Sequence, residues 1–136
     1  WLGSIFLKEE DGYKIILKAL EHYKKRLRNI NSSPELAGAA MFSQIVTQEA
    51  MKQHPIVDSL IKKIPQCLES PEQLNQLEND IELFVKSLES YKADLKKAQT
   101  SDDEFYKKLV NLSDVGPDEI DQIDNAISKI QQFDES

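Results

Sequence analysis

Apolar residues recur in this chain at alternating spacings of three and four residues. The pattern covers three long stretches: Tyr13–Ile30, Leu74–Ala98 and Ile120–Ile130. An α-helix with this spacing presents one continuous apolar stripe to its neighbours, as in helical bundles and coiled coils. Apolar and polar residues do not alternate with period two over a useful length, so no β-sheet is expected. The spacing therefore predicts an all-α fold.

Short capping sequences indicate where the helices begin. Ser33–Pro34 and Ser70–Pro71 each place an N-cap residue before a proline at the first helical position. Gly116 is a stop signal in the last third of the chain. The expected helices span approximately 8–31, 34–54, 55–69, 71–99 and 102–134, the last broken near 113–117. These boundaries predict a four- to five-helix bundle with one long helix over about 71–99.

Residues 34–54 differ from the other helical stretches because they carry small and apolar side chains and little charge. Low charge is typical of a helix that is buried on more than one side. We therefore predict that this second helix lies at the centre of the bundle. Pro55 follows it, and a proline lacks the N–H group and clashes with the preceding helical turn. The second helix is expected to be interrupted there: either a short helix restarts with Pro55 at its first position, or the helix continues after a kink.

The length of 136 residues suits one domain with its own core. We predict a single helical-bundle domain over residues 1–136, with a looser helical appendage over 100–136 as the alternative. No stretch of about 20 apolar residues is present, so no transmembrane helix is expected. The only cysteine, Cys67, cannot form an intramolecular disulfide and fits a reducing compartment. A soluble, cytoplasmic protein is therefore expected.

Charge is distributed unevenly in this acidic chain, whose net charge is −7. Residues 1–33 hold seven basic against four acidic side chains, whereas the remainder holds ten against twenty. An acidic protein repels nucleic acid and anionic lipid unless a local basic patch overrides the global field. Four cations lie along one flank of the first helix: Lys14, Lys18, Lys25 and Arg28. Nucleic acid is thus not the expected partner, but binding of a polyanion, either a nucleic acid or a phospholipid, through this helix is the alternative function.

The sequence contains no motif that predicts catalysis. Gly-rich phosphate loops and nucleophile elbows are absent. Neither His22 nor His54 has a Glu three residues before it, as a ferritin-like di-metal site requires. We therefore predict no enzyme activity, no catalytic residue, no cofactor and no metal ligand. A carboxylate-bridged metal protein is the third function considered, because helical bundles rich in carboxylates can hold such sites.

The expected function is a non-catalytic protein–protein interaction or assembly module, as a homodimer or as a subunit of a larger complex. The apolar stripes of the first helix and of the helix over 71–99 would supply the contact surfaces. Ile15 and Leu83 lie roughly 100° from those stripes, so they belong either to a broad core or to a second surface. The candidate interaction surface comprises Ile15, Leu83, Lys14, Lys18, Lys25 and Arg28.

Overall fold

The computed structural model describes residues 1–38 and 40–134, which contain six α-helices and no strand. The helices are α1 (Tyr13–Arg28), α2 (Ala40–Cys67), α3 (Pro71–Asn75), α4 (Ile81–Thr100), α5 (Glu104–Leu109) and α6 (Glu119–Asp134). A π-helical turn, Ile5–Glu9, precedes α1. Short 3₁₀ turns join several of the helices. The prediction of an all-α helical bundle is confirmed.

The core lies between α1, α2, α4 and α6. α1 packs against α2 and α4, and α4 packs in addition against α5 and α6. Every residue of the stripe predicted over 74–98 is buried: Leu74, Leu77, Ile81, Phe84, Leu88, Tyr91, Leu95 and Ala98. Burial of one large apolar side chain contributes about 1.5–3 kcal/mol, so this stripe is a main source of stability. α1 and α4 are the central helices.

The predicted helix over about 71–99 is not continuous. It consists of α3, a 3₁₀ turn over Gln76–Asp80, and α4. The turn keeps Leu77 fully buried, so the apolar stripe continues across the break. The Asp80 carboxylate accepts a hydrogen bond from Lys63 Nζ at 3.1 Å, and this contact ties the break to α2.

The prediction that the second helix ends before Pro55 and a short helix restarts there is wrong. α2 runs through both Pro55 and Pro65 and has 28 residues, which makes it about 42 Å long. It is the longest helix in the described part of the chain. A proline removes one backbone donor, but its φ of about −65° is compatible with an α-helix. Pro55 is also exposed, so its ring does not disturb the core.

The second helix is not the central helix of the bundle either. Its C-terminal half buries Val57, Leu60 and Ile64 in the core. Its N-terminal half leaves most of its large apolar side chains exposed to solvent. The low charge of this half therefore does not indicate burial within the chain. No helix of the described residues combines the length and the apolar character that crossing a bilayer requires.

Candidate interaction surfaces

The cations of α1 mostly have partners within the chain. Lys18 forms an ion pair with Glu119 and donates a hydrogen bond to the backbone carbonyl of Asp114 at 2.7 Å. Lys25 Nζ donates to the carbonyl of Lys108, also at 2.7 Å. Lys24, outside the predicted surface, pairs with Asp58 at 2.7 Å. The basic helix is thus largely neutralised by the acidic remainder of its own chain.

The four predicted cations do not form one patch. Lys18, Lys25 and Arg28 line a common groove of about 280 Å³ between α1 and the segment after α5. Lys14 lies outside this groove and is 3.9 Å from Asp11, with both side chains well exposed. Arg28 has no ion pair among the described residues. The structure therefore brings together three of the four cations, two of which are already hydrogen-bonded.

The two apolar members of the predicted surface have different environments. Ile15 is only 8% exposed and belongs to the core, so it cannot contribute to a second contact surface. The apolar face of α1 is simply broader than its heptad stripe, because α1 packs against both α2 and α4. Leu83 is half-buried against the core, and it lines a surface groove together with Ile56 of α2.

A buried polar cluster connects α1 to α4. Asp94 is 2% exposed, and its carboxylate accepts two hydrogen bonds from Arg26 Nη1, at 2.7 and 2.8 Å. His22 Nε2 lies 2.8 Å from the same carboxylate, and the His22 ring packs against Tyr91 with 5.0 Å between centroids. A buried carboxylate is costly unless it is paired and hydrogen-bonded, and here three contacts satisfy it. The cluster is a structural clamp between the two central helices.

The clamp extends outward to the protein surface through Glu35. Arg26 Nη2 donates to Glu35 at 2.8 Å, and Lys97 Nζ donates to the other carboxylate oxygen at 2.9 Å. Partial burial would raise the pKa of Glu35, but the hydrogen bond from Lys97 and the charge of Arg26 outweigh it and lower the pKa. The Tyr106 hydroxyl donates a further hydrogen bond to Glu35 at 3.1 Å. The segment before α2 is thereby tied to α1, α4 and α5.

A second buried carboxylate joins α6 to the central helices. Glu119 is 6% exposed, accepts a hydrogen bond from the Tyr91 hydroxyl and pairs with Lys18. Burial and the nearby Glu119 carboxylate raise the pKa of Tyr91 well above its ordinary value. The Lys18 side chain is 38% exposed, but it is held by Glu119 and by the Asp114 carbonyl, so it cannot bind a ligand without breaking a contact.

The exposed face of α2 carries a stripe that the sequence analysis missed. Its members follow one another at spacings of three and four residues, and all are exposed. We call this stripe the α2 seam; it comprises Phe42, Ile45, Glu49, Lys52, Ile56 and Ser59. Phe42 is 61% exposed, Ile45 is 59% exposed and Ile56 is 52% exposed. The spacing is visible in the sequence, but only when the helix is continued through Pro55.

The seam is distinct from the rest of the α2 surface. Met41 lies at its edge and is 82% exposed, which enlarges the apolar area. Met51 is also exposed, but the helical rotation of about 100° per residue puts it on another side of α2. Between the apolar members, Glu49 and Lys52 form an ion pair of 3.6 Å with each other. The seam therefore presents an apolar, charged, apolar order along one helix face.

Comparisons of the chain with models of protein families, with characterised proteins and with solved structures give no match in any of the three. Within residues 1–38 and 40–134, no group of three or more His, Cys, Asp or Glu side chains converges to hold a metal ion. The carboxylate-bridged metal hypothesis thus stays a prediction without a candidate set of ligands. Cys67 is buried, as is usual for a structural cysteine.

Proposed function

We propose that the chain is a non-catalytic protein–protein interaction module whose contact surface is the α2 seam. This proposal rests on the exposure of Phe42, Ile45 and Ile56 on one face of one helix. Exposed large apolar side chains that cluster on one face of a folded protein are typical of interaction sites. A helix with anchors at spacings of three and four residues binds a groove or another helix with the same pattern.

This surface differs from the surfaces that the sequence analysis selected. The stripes of the first helix and of the 71–99 region pack within the chain, so they are not available for a partner. The α2 seam takes their place, and the half-buried Leu83 adjoins it through the groove shared with Ile56. A cytoplasmic location stays part of the proposal, since a single cysteine fits a reducing compartment.

Polyanion binding is the second candidate, because Lys18, Lys25 and Arg28 line one groove. Binding there would require Lys18 and Lys25 to exchange carboxylate and carbonyl partners for the anion. The net charge of −7 would also oppose the approach of a polyanion. The α2 seam requires no such exchange, which favours protein–protein interaction.

A pull-down with matched variants tests the proposed function. The chain is immobilised as wild type, as Ile45→Ser in the seam and as Met51→Ser on another side of the same helix. Both replaced side chains are exposed, at 59% and 71%, so neither change should impair folding, which circular dichroism checks. We expect the wild type and Met51→Ser to retain the same bound protein and Ile45→Ser to lose it. Equal retention by all three would refute the seam as the contact surface.

A further inference from the structure

We infer that the partner of the α2 seam is a second copy of this chain, bound antiparallel about a twofold axis that passes midway between Glu49 and Lys52 of the seam. This inference rests on the proposed function, because it names the partner of the same surface. The identity of the partner and its orientation both follow from the order of side chains along the seam.

The central part of the seam is complementary to itself when one copy is reversed. Ile45, Glu49, Lys52 and Ile56 follow one another at spacings of four, three and four residues. In a reversed copy with Ile45 opposite Ile56, Glu49 falls opposite Lys52 at both symmetry-related positions. Two apolar contacts then flank two ion pairs. A twofold interface requires such self-complementarity, since each patch meets an identical patch.

The charges select the antiparallel orientation over the parallel one. A parallel copy would place Glu49 opposite Glu49 and Lys52 opposite Lys52, and like charges across a helix interface repel. Within residues 1–38 and 40–134, Glu49 and Lys52 form an ion pair of 3.6 Å with each other and with no further residue, and they are 61% and 73% exposed. The antiparallel copy gives each of them a second partner of opposite charge.

A groove next to Ile56 fits the remaining anchor, Phe42. The groove has a volume of about 350 Å³ and is lined mainly by α2 residues: Pro55, Ile56, Ser59, Leu60 and Lys63, with Asp80 at its edge. Ile56, Ser59, Leu60 and Lys63 are the positions i, i+3, i+4 and i+7 that form a hole for a knob from a facing helix.

The register that pairs Ile45 with Ile56 also brings Phe42 of the second copy opposite Ser59. Ser59 is small and exposed, so the centre of the hole is open to an aromatic ring. The symmetry provides two such contacts, one at each end of the interface. Large aromatic side chains seated in pockets are typical anchors of protein interfaces. The same register thus accounts for the apolar pairs, the charge pairs and the groove.

The first test measures mass by light scattering at high micromolar concentration. We expect the wild type and the control Met51→Ser to have twice the chain mass of 15.6 kDa. Glu49→Lys and Lys52→Glu each place like charges across the axis, so each should weaken the dimer by about tenfold or more. The double exchange Glu49→Lys/Lys52→Glu restores opposite pairs and should restore the dimer. If the two single variants and the double variant all dimerise as strongly as the wild type, the interface lies elsewhere and the inference is overturned.

The second test reads the orientation by disulfide trapping. Ile45→Cys/Ile56→Cys should form a covalent dimer under mild oxidation, whereas neither single variant should. In the antiparallel register two copies of position 45 are separated along the axis by about 16 Å, too far for a disulfide. Cys67 is buried and serves as the internal negative control in the wild type. Strong cross-linking of Ile45→Cys alone would indicate a parallel pair and refute the arrangement.

The oligomeric state and the pull-down together distinguish a second copy from a different protein as the partner of the seam. A wild-type monomer at high micromolar concentration, combined with a bound protein that Ile45→Ser loses, would identify a different partner. The proposed function would then stand and the second copy would be excluded. A monomer combined with equal retention by Ile45→Ser and the wild type would refute both proposals.

Discussion

Replacement of Asp94 by Asn should destabilise the fold strongly. The change removes the charge that satisfies Arg26 and His22, while it keeps the size of the side chain. Removal of one partner from a buried ion pair costs about 3–5 kcal/mol. Arg26 keeps its contact with Glu35 and its side chain is 14% exposed, so we expect a loss near the lower end, about 3 kcal/mol. That loss corresponds to a fall in Tm on the order of 10 °C.

A matched replacement on the rim of the same cluster separates burial from simple charge loss. Glu35→Gln also removes an acid from Arg26, but the Glu35 side chain is 44% exposed. Solvent screens such a pair, so this change should cost no more than about 1 kcal/mol. The double replacement Arg26→Leu/Asp94→Leu should be less damaging than Asp94→Asn, because it leaves no unpaired buried charge.

Urea denaturation followed by far-ultraviolet circular dichroism at pH 7 measures all four proteins. The concentration of protein is held constant, since self-association would make the apparent stability depend on it. Equal losses for Asp94→Asn and Glu35→Gln would refute the assignment of the clamp. A loss below about 1 kcal/mol for Asp94→Asn would also refute it, because removing one partner of a buried ion pair destabilises a protein by more than that.

Two further predictions concern acid stability and helix entry. Hydrogen bonds from Lys24 and Lys62 lower the pKa of Asp58 from 3.8 to about 2. The stabilisation is therefore present above about pH 3.8 and is lost as the pH falls through about 2, so Asp58→Asn should be less stable than the wild type at pH 7, and the difference should shrink as the pH falls below 3.8; a pH-independent difference would contradict this. A Cβ at Gly12 would lie 2.4 Å from the buried Phe6 ring, whereas one at Gly116 has no neighbour within 4 Å. Gly12→Ala should thus cost about 1–3 kcal/mol by thermal unfolding and Gly116→Ala at most about 0.5, and equal effects would refute the steric argument.

Local patterns in the sequence predict the packing of α1, α4 and α6 well. The stripe over 74–98 is buried throughout, because its period matches the helix and each side chain meets a neighbouring helix. The N-cap at Ser33 is also present, since its hydroxyl accepts a hydrogen bond from the Glu35 N–H at 3.3 Å. The helix that it begins is only the 3₁₀ turn Pro34–Leu36, because a cap signal indicates a start but not a length.

The buried clamp and the α2 seam lie beyond what these patterns predict, for two different reasons. His22 and Asp94 are 72 residues apart, and no local signal connects a basic residue to one acid among many. The seam was hidden because the low charge of residues 40–51 is compatible either with burial in the chain or with contact to a partner. Pro55 divided the stripe in two, although the helix continues through it.

The clamp also has a consequence for the order in which the chain acquires its structure. α1 is synthesised before α4: His22 precedes its partner Asp94 by 72 residues, and Arg26 precedes it by 68. At about 5–20 residues per second, a ribosome takes roughly 3–14 seconds to supply that partner. Throughout this interval α1 remains without α4 to cover its apolar face. α1 can therefore complete its packing only after α4 has left the ribosome.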